Sequence, residues 1–262
     1  MSDSPAGESQ ARRVQTVFGR AAGDYVASVG HAGGPDLERL VAWGRERRPE
    51  AVLDIATGGG HTALAFSALA RRVVAFDVTE PMLRAARQFV RERGADQVAF
   101  VAGDVEALPF REAFDVVTCR IAAHHFANVG DAVRQIARAL KSGGSFLIQD
   151  ILGHEDAEAR AFITEIERRR DPSHVRSYRA VEWKALLRGA GLTVMDETVL
   201  PKVRPWAEWT GRTRMTPEAR RDLDAFVRQA PDRLRAAFDF TLRDTTIESF
   251  VDRHLLLRAD KD

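Results

Sequence analysis

The sequence predicts an α/β fold: a doubly wound, mostly parallel seven-stranded sheet with helices on both faces and a late antiparallel strand. Three observations predict it. Short runs that are apolar on both faces alternate with helical stretches between residues 51 and 151, the pattern of parallel strands covered on both sides. A glycine cluster, Gly58-Gly59-Gly60, directly follows the first run. A pair of strand-like runs returns near the C-terminus after a long interruption, which suits a hairpin that adds an antiparallel strand.

The elements follow in order. Residues 1–10 are small and polar, without the apolar core of a signal peptide, and are expected to be a disordered tail. Residues 11–48 read as a helical cap broken at Gly30 and Gly33-Gly34-Pro35, and Pro49 marks its boundary. The core, 49–200, opens with the strand Ala51–Ile55, the glycine turn and a helix over 61–70. A second strand, Arg72–Asp77, precedes a helix with Thr79 as N-cap, Pro81 in its first turn and Gly94 as its stop. Strands are expected at Val98–Val101, Phe114–Cys119 and Ser145–Ile151, with a helix over Asp131–Leu140 closed by Gly143-Gly144. Helices at Ala157–Arg170 and Ala180–Arg188 flank the Asp171-Pro172 break, and Leu192–Leu200 reads as a strand. Residues 201–236 read as a helical insertion or lid, and 237–262 as terminal strands, Phe238–Arg243 and Ile247–Leu257, that complete the sheet.

Composition narrows the function classes. The 262 residues carry a net charge of +1, which gives no reason to expect nucleic acid as a partner. No apolar run approaches the roughly 20 residues of a membrane helix, so no membrane insertion is expected. A lone cysteine, Cys119, forbids an internal disulfide and a multi-thiolate zinc site. Together these favour a cytoplasmic protein.

Chemistry gathers at the ends of the early strands. Glycines after a strand let the backbone turn tightly and approach a ligand, and the next helix offers free N–H groups to an anion. Gly58, Gly60 and Ala63 also satisfy the dinucleotide pattern G-x-G-x-x-G/A, so the loop alone indicates a nucleoside cofactor or a plain turn. Asp77 ends the next strand, where an acid can accept from both ribose hydroxyls of any adenosyl cofactor; a helix-capping acid is the alternative. After the third strand, Gly103-Asp104-Val105 offers a carboxylate to an adenine amino group and a backbone N–H to its ring, with Leu108 available to cover the ring face.

These segments, together with Phe114–Arg120, the following Ala122-Ala123-His124-His125-Phe126 and Arg138-Ala139-Leu140-Lys141-Ser142-Gly143-Gly144, resemble the class I S-adenosylmethionine (SAM) dependent methyltransferases. That family has a Rossmann-like fold, and the similarity is to its ubiquinone/menaquinone-biosynthesis-like branch. It spans residues 12–200 and is most specific over 52–151. The chain departs at Ala56, where the family usually carries the loop's first glycine. The resemblance implies SAM as cofactor and S-adenosyl-L-homocysteine as product. It places Asp54, Ala56, Thr57, Gly58 and Gly60 against the methionine part, Asp77 and Val78 at the ribose, and Gly103, Asp104 and Val105 at the adenine. The backbone around Arg120 would meet the methionine amino group, and Phe18 and Tyr25 would close over the cofactor or pack within the cap.

Methyl transfer depends on alignment and water exclusion, and needs a base only if the acceptor must lose a proton. His124 and His125, just past the fourth strand, are the candidate catalytic bases; shaping the loop beside Phe126 is the other reading. His154, His174, Arg176 and Tyr178 are candidate substrate residues, His31 a lesser one, and His61 belongs to the cofactor side. No metal role is expected, because no His–carboxylate cluster has ligand spacing. Arg168-Arg169-Arg170 is a solvated helix end or an attraction for an acidic substrate. Trp206, Trp209 and Met215 in the insertion suit a lid over a flat acceptor or a homodimer contact. The expected activity is methyl transfer to carbon or oxygen of a small molecule. An NAD(P)-dependent oxidoreductase and a non-catalytic SAM-binding protein stay as alternatives; the first lacks a Tyr-x-x-x-Lys pair, and the Asn-Pro-Pro-Tyr type of motif for flipped bases is absent too.

Overall fold

Strand β1 (Ala51–Ile55) is buried at all five positions, as a strand covered on both faces must be. In the computed structural model, which describes residues 9–26 and 33–262, it pairs in parallel with β2 (Arg72–Asp77) on one side and β4 (Phe114–Arg120) on the other. β3 (Val98–Ala102) joins β2, and β5 (Leu140–Ile151) joins β4, both in parallel. Beyond β5 the direction reverses. β8 (Thr246–Lys261) runs antiparallel to both β5 and β6 (Leu192–Pro205), giving the order β3-β2-β1-β4-β5-β8-β6. A short β7 (Thr241–Arg243) pairs with the start of β8 as an eighth strand beside the seven expected.

Period-2 alternation sorts the sheet into two faces. Ala51, Leu53 and Ile55 join Phe76, Val117 and Cys119 in one core cluster, covered by α5 (Val129–Ala139) and α7 (Ala180–Gly189). Val52, Val73 and Val116 join the opposite cluster, covered by α2 (Pro35–Arg47), α3 (His61–Ser67) and α4 (Glu80–Arg91). Asp54 alternates onto that second face. Helix α1 (Gln10–Val26) lies against α4. A third cluster unites α6 (Ala157–Arg170), α8 (Trp206–Gly211), α9 (Pro217–Gln229) and α10 (Asp232–Ala236) around Trp206, Trp209 and Phe250.

Several boundaries differ from expectation for local reasons. Helix α1 already includes Gln10, whose side chain donates to His125 O at 2.9 Å and Ser173 O at 2.6 Å. β6 continues past Leu200 to Pro205, with Pro201 opposite Arg253; as the edge strand it tolerates a proline that lacks an N–H. β5 begins at Leu140, with an irregular register between Phe114 and Val116 of its partner. Helix α5 starts two residues before Asp131 because Asn128 is its cap, accepting from Asp131 N at 3.1 Å. Phe238 belongs to the third cluster, not to a strand, and Asp239 turns the chain at φ 47°. Thr79 holds the N-cap position of α4 but makes no side-chain cap bond; Asp77 accepts its N–H instead, at 2.8 Å.

Candidate active site

The C-terminal ends of β1, β2, β3 and β4 open onto one cleft of about 1110 Å³, its open mouth included. That is where a doubly wound sheet binds ligands, at the crevice where strand order reverses. The loop after β1 holds Ala56 at φ 50° and Gly58 at φ 52°, so it curls and brings Thr57 N onto Phe76 O at 3.1 Å. Asp77 accepts from Gly58 N at 3.0 Å and so fastens this loop to the end of β2. Burial pushes the Asp77 carboxyl above its ordinary value, against the pull of those N–H groups. Asp54 accepts from Thr57 Oγ1 at 2.6 Å and Thr118 Oγ1 at 2.7 Å, and burial pushes it up to about 6. Asp104 accepts from Glu106 N at 2.9 Å and lines the cleft together with Val105.

An adenosyl cofactor fits these groups. The cleft offers carboxylates at two neighbouring strand ends, and Thr79 Oγ1 is buried in its wall with no partner among the described residues. Gln10, Val14 and Phe18 of α1 add to its lining.

Arg120 also lines the cleft, and its side chain carries structure. The guanidinium donates from Nη2 to Asp36 Oδ2 at 2.6 Å and from Nε to Gln149 Oε1 at 3.1 Å, which ties α2 to the strand ends. Burial would raise the Asp36 carboxyl, but Arg120 and Lys202 hold it below its ordinary value.

A second cavity adjoins the first and shares Phe18, Ile121 and His125 with it. Its wall adds His124 and His174, with Glu167 and Arg170 from α6, Arg204 from β6 and Trp209 from α8. His124 is fixed by Asp150 of β5: Nδ1 lies 2.6 Å from Asp150 Oδ1, and the His124 N–H donates to Oδ2 at 2.8 Å. Burial opposes a charge on His124, yet the carboxylates of Asp150, Glu167 and Asp171 together outweigh it and raise the imidazole above its ordinary value. His125 moves the other way, down to about 4, through burial and the neighbouring charge of His124, 4.1 Å between ring centroids. His125 therefore stays neutral, and Phe18 meets it edge-on at 5.0 Å.

The structure thus brings Asp54, Ala56, Thr57, Gly58, Asp77, Val78, Gly103, Asp104, Val105, Arg120, Phe18 and His61 to the cleft. Gly60 does not line it. At φ 83° it packs against α4, where a Cβ would meet Val90 at 3.0 Å and Ala86 at 3.1 Å. Leu108 is in the core rather than on the cleft, and Phe76 lines the wall in its neighbourhood. His174 lines the second cavity; His154, Arg176 and Tyr178 line neither. His154 accepts from Asp156 N, and Arg176 pairs with Glu182 while covering Tyr178. The Tyr25 side chain and His31 fall outside the described residues. Sequence reasoning missed Asp150, Glu167 and Arg204, because each looks like an ordinary strand or helix residue until three distant elements converge. Of the arginine run, Arg169 pairs with Glu165 on the surface, whereas Arg170 is buried against Glu167.

Comparison with known proteins places this arrangement. Residues 53–148 match a family model described as a methyltransferase domain. An uncharacterized methyltransferase, YcgJ of Bacillus subtilis strain 168, is 36% identical over 229 residues, 87% of this chain and 90% of that protein. Its crystal structure superposes with a TM-score of 0.83, at 35% identity, covering 86% of this chain and 97% of that one. A structure from Bacillus halodurans C-125, described as a candidate methyltransferase, gives a TM-score of 0.84 at 37% identity, over 87% of this chain and 99% of that one. The ubiquinone/menaquinone biosynthesis C-methyltransferase UbiE of Azotobacter vinelandii is 38% identical over 155 residues, 54% of this chain and 60% of that protein.

Proposed function

Because this chain belongs to the SAM-dependent methyltransferases, we propose that it methylates an oxygen or carbon of a small molecule held in the second cavity. One observation carries the reading: the cavity lined by His124, which Asp150 holds, shares Phe18, Ile121 and His125 with the cofactor cleft. An acceptor there lies next to a cofactor in the cleft.

Bound SAM supplies an electrophilic methyl group on a sulfonium. The chain's part is to hold, orient and exclude water. Asp77, with Thr79 Oγ1 beside it, is placed for ribose hydroxyls, and Asp104 and Val105 for the adenine. Asp54 puts a buried carboxylate under the loop that faces the cationic end. Helix α1 lies over the mouth and excludes water. Its Gln10 ties α1 to the His125 loop and to Ser173, joining the cofactor side to the acceptor side.

His124 is the better base of the two histidines. Asp150 fixes its Nδ1, which orients Nε2 and raises its basicity, as a carboxylate does for imidazole in other acid–base pairs. His125, pushed down to about 4, is a weak base at neutral pH. The test is single-turnover transfer from labelled SAM to metabolite fractions with wild type, His124→Asn and Asp150→Asn. Loss of labelled product of about 10²-fold or more in His124→Asn, with homocysteine-form cofactor binding intact, supports the base assignment. Undiminished transfer in that variant contradicts it.

A further inference from the structure

The second cavity carries information about acceptor chemistry, given the methyltransferase reading above. Glu167 and His174 line it, and their Oε1 and Nε2 atoms are buried and without a hydrogen-bond partner among the described residues. Glu167 is 2% exposed and His174 4%. Buried orphans of this kind are costly and scarce in folded proteins, and a ligand that pairs them relieves the cost.

The cations of the same wall are matched. Arg170 donates to Glu167 Oε2 at 3.1 Å and to Trp209 O at 3.1 Å. Arg204 donates from Nε to Asp252 Oδ2 at 2.8 Å, and Arg212 pairs with Glu208. An anionic acceptor would find these charges already neutralised and would press its oxygens against Glu167 Oε1. An ammonium group could donate to Glu167 Oε1, but it has no lone pair to accept from a His174 Nε2–H. A hydroxyl group suits both orphans, since it donates its one proton to the carboxylate oxygen and accepts from the histidine Nε2–H.

We propose that the acceptor is an uncharged, hydroxylated small molecule, anchored by one hydroxyl on Glu167 and His174 and methylated on another hydroxyl oxygen beside His124. In that step an O–CH3 bond forms as the S–CH3 bond breaks. The bonding pair stays on sulfur and cancels its positive charge, and the hydroxyl proton passes to His124 Nε2.

Catechol, benzoate and benzylamine, tested by saturation-transfer NMR on the protein loaded with S-adenosylhomocysteine, separate the three charge classes. Catechol is expected to bind at millimolar concentration and the other two more weakly. His174→Phe keeps the ring and removes Nε2, and should weaken catechol at least ~5-fold. In Glu167→Gln the amide oxygen turns to Arg170 and its NH2 to the cavity, so catechol weakens while benzoate gains. Unchanged homocysteine-form cofactor affinity in both variants shows that the fold and the first cleft survive. Tighter binding of benzoate or benzylamine, no catechol binding at tens of millimolar, or catechol binding indifferent to both variants overturns the proposal. Failure of the loaded complex to form overturns instead the methyltransferase reading beneath it.

Discussion

Replacing Asp54 with asparagine should stabilise the ligand-free protein at neutral pH and cost it cofactor affinity. The buried carboxyl titrates at about 6 instead of its ordinary 3.8. The folded state therefore holds the proton to higher pH than the unfolded chain does. The stability this contributes is full below 3.8, declines as pH rises toward 6, and is gone above it. Two pKa units correspond to about 3 kcal/mol between those limits. Asparagine has the shape of the protonated acid. Both threonine hydroxyls can stay bonded to it, because a hydroxyl turns to donate or accept. Urea unfolding of both proteins from pH 4 to 8 reads the difference. The variant should gain about 3 kcal/mol on wild type between pH 4 and 7.5, while its SAM affinity falls for lack of the carboxylate under the loop. A stability difference that does not change with pH would refute the reasoning.

Three further outcomes follow from the same geometry. Asp36→Ala removes the carboxylate that pairs with buried Arg120, and should cost about 3 kcal/mol in urea unfolding, the low end for a broken buried pair. Gly103→Ala places a Cβ 2.5 Å from Phe76 Cζ, and crowding there should cost about 1–3 kcal/mol, read as a lowered Tm. Turnover should rise with pH through an inflection above 6.5, since His124 must lose its proton to act and Asp150 raises it; Asp150→Asn should move that inflection lower.

The sheet was legible because strands covered on both faces must be apolar throughout, and Ala51–Ile55 and Arg72–Asp77 are nearly so. Edges were less so. Pro201 reads as a stop, and only its place on the outermost strand permits it to continue β6. The cleft residues that a single loop carries, Ala56 to Gly58 and Gly103 to Val105, announce themselves by glycine just past the end of a strand. Gly60 follows the same pattern for another reason, close packing with α4. The second cavity is different in kind. Asp150, Glu167 and Arg204 come from a strand, a helix and another strand, and nothing local to any of them marks a shared site. Gln10 likewise is a polar residue near the chain start until its amide is seen to reach His125 and Ser173.

Calorimetric titration with SAM, S-adenosylhomocysteine and NAD(H), using wild type, Asp77→Ala and Asp104→Ala, decides the cofactor. Micromolar binding of SAM and S-adenosylhomocysteine to wild type is expected, at least ~10-fold weaker in each variant, with no binding of NAD(H). Binding of NAD(H) in place of SAM, or SAM affinity untouched by both substitutions, would contradict that expectation.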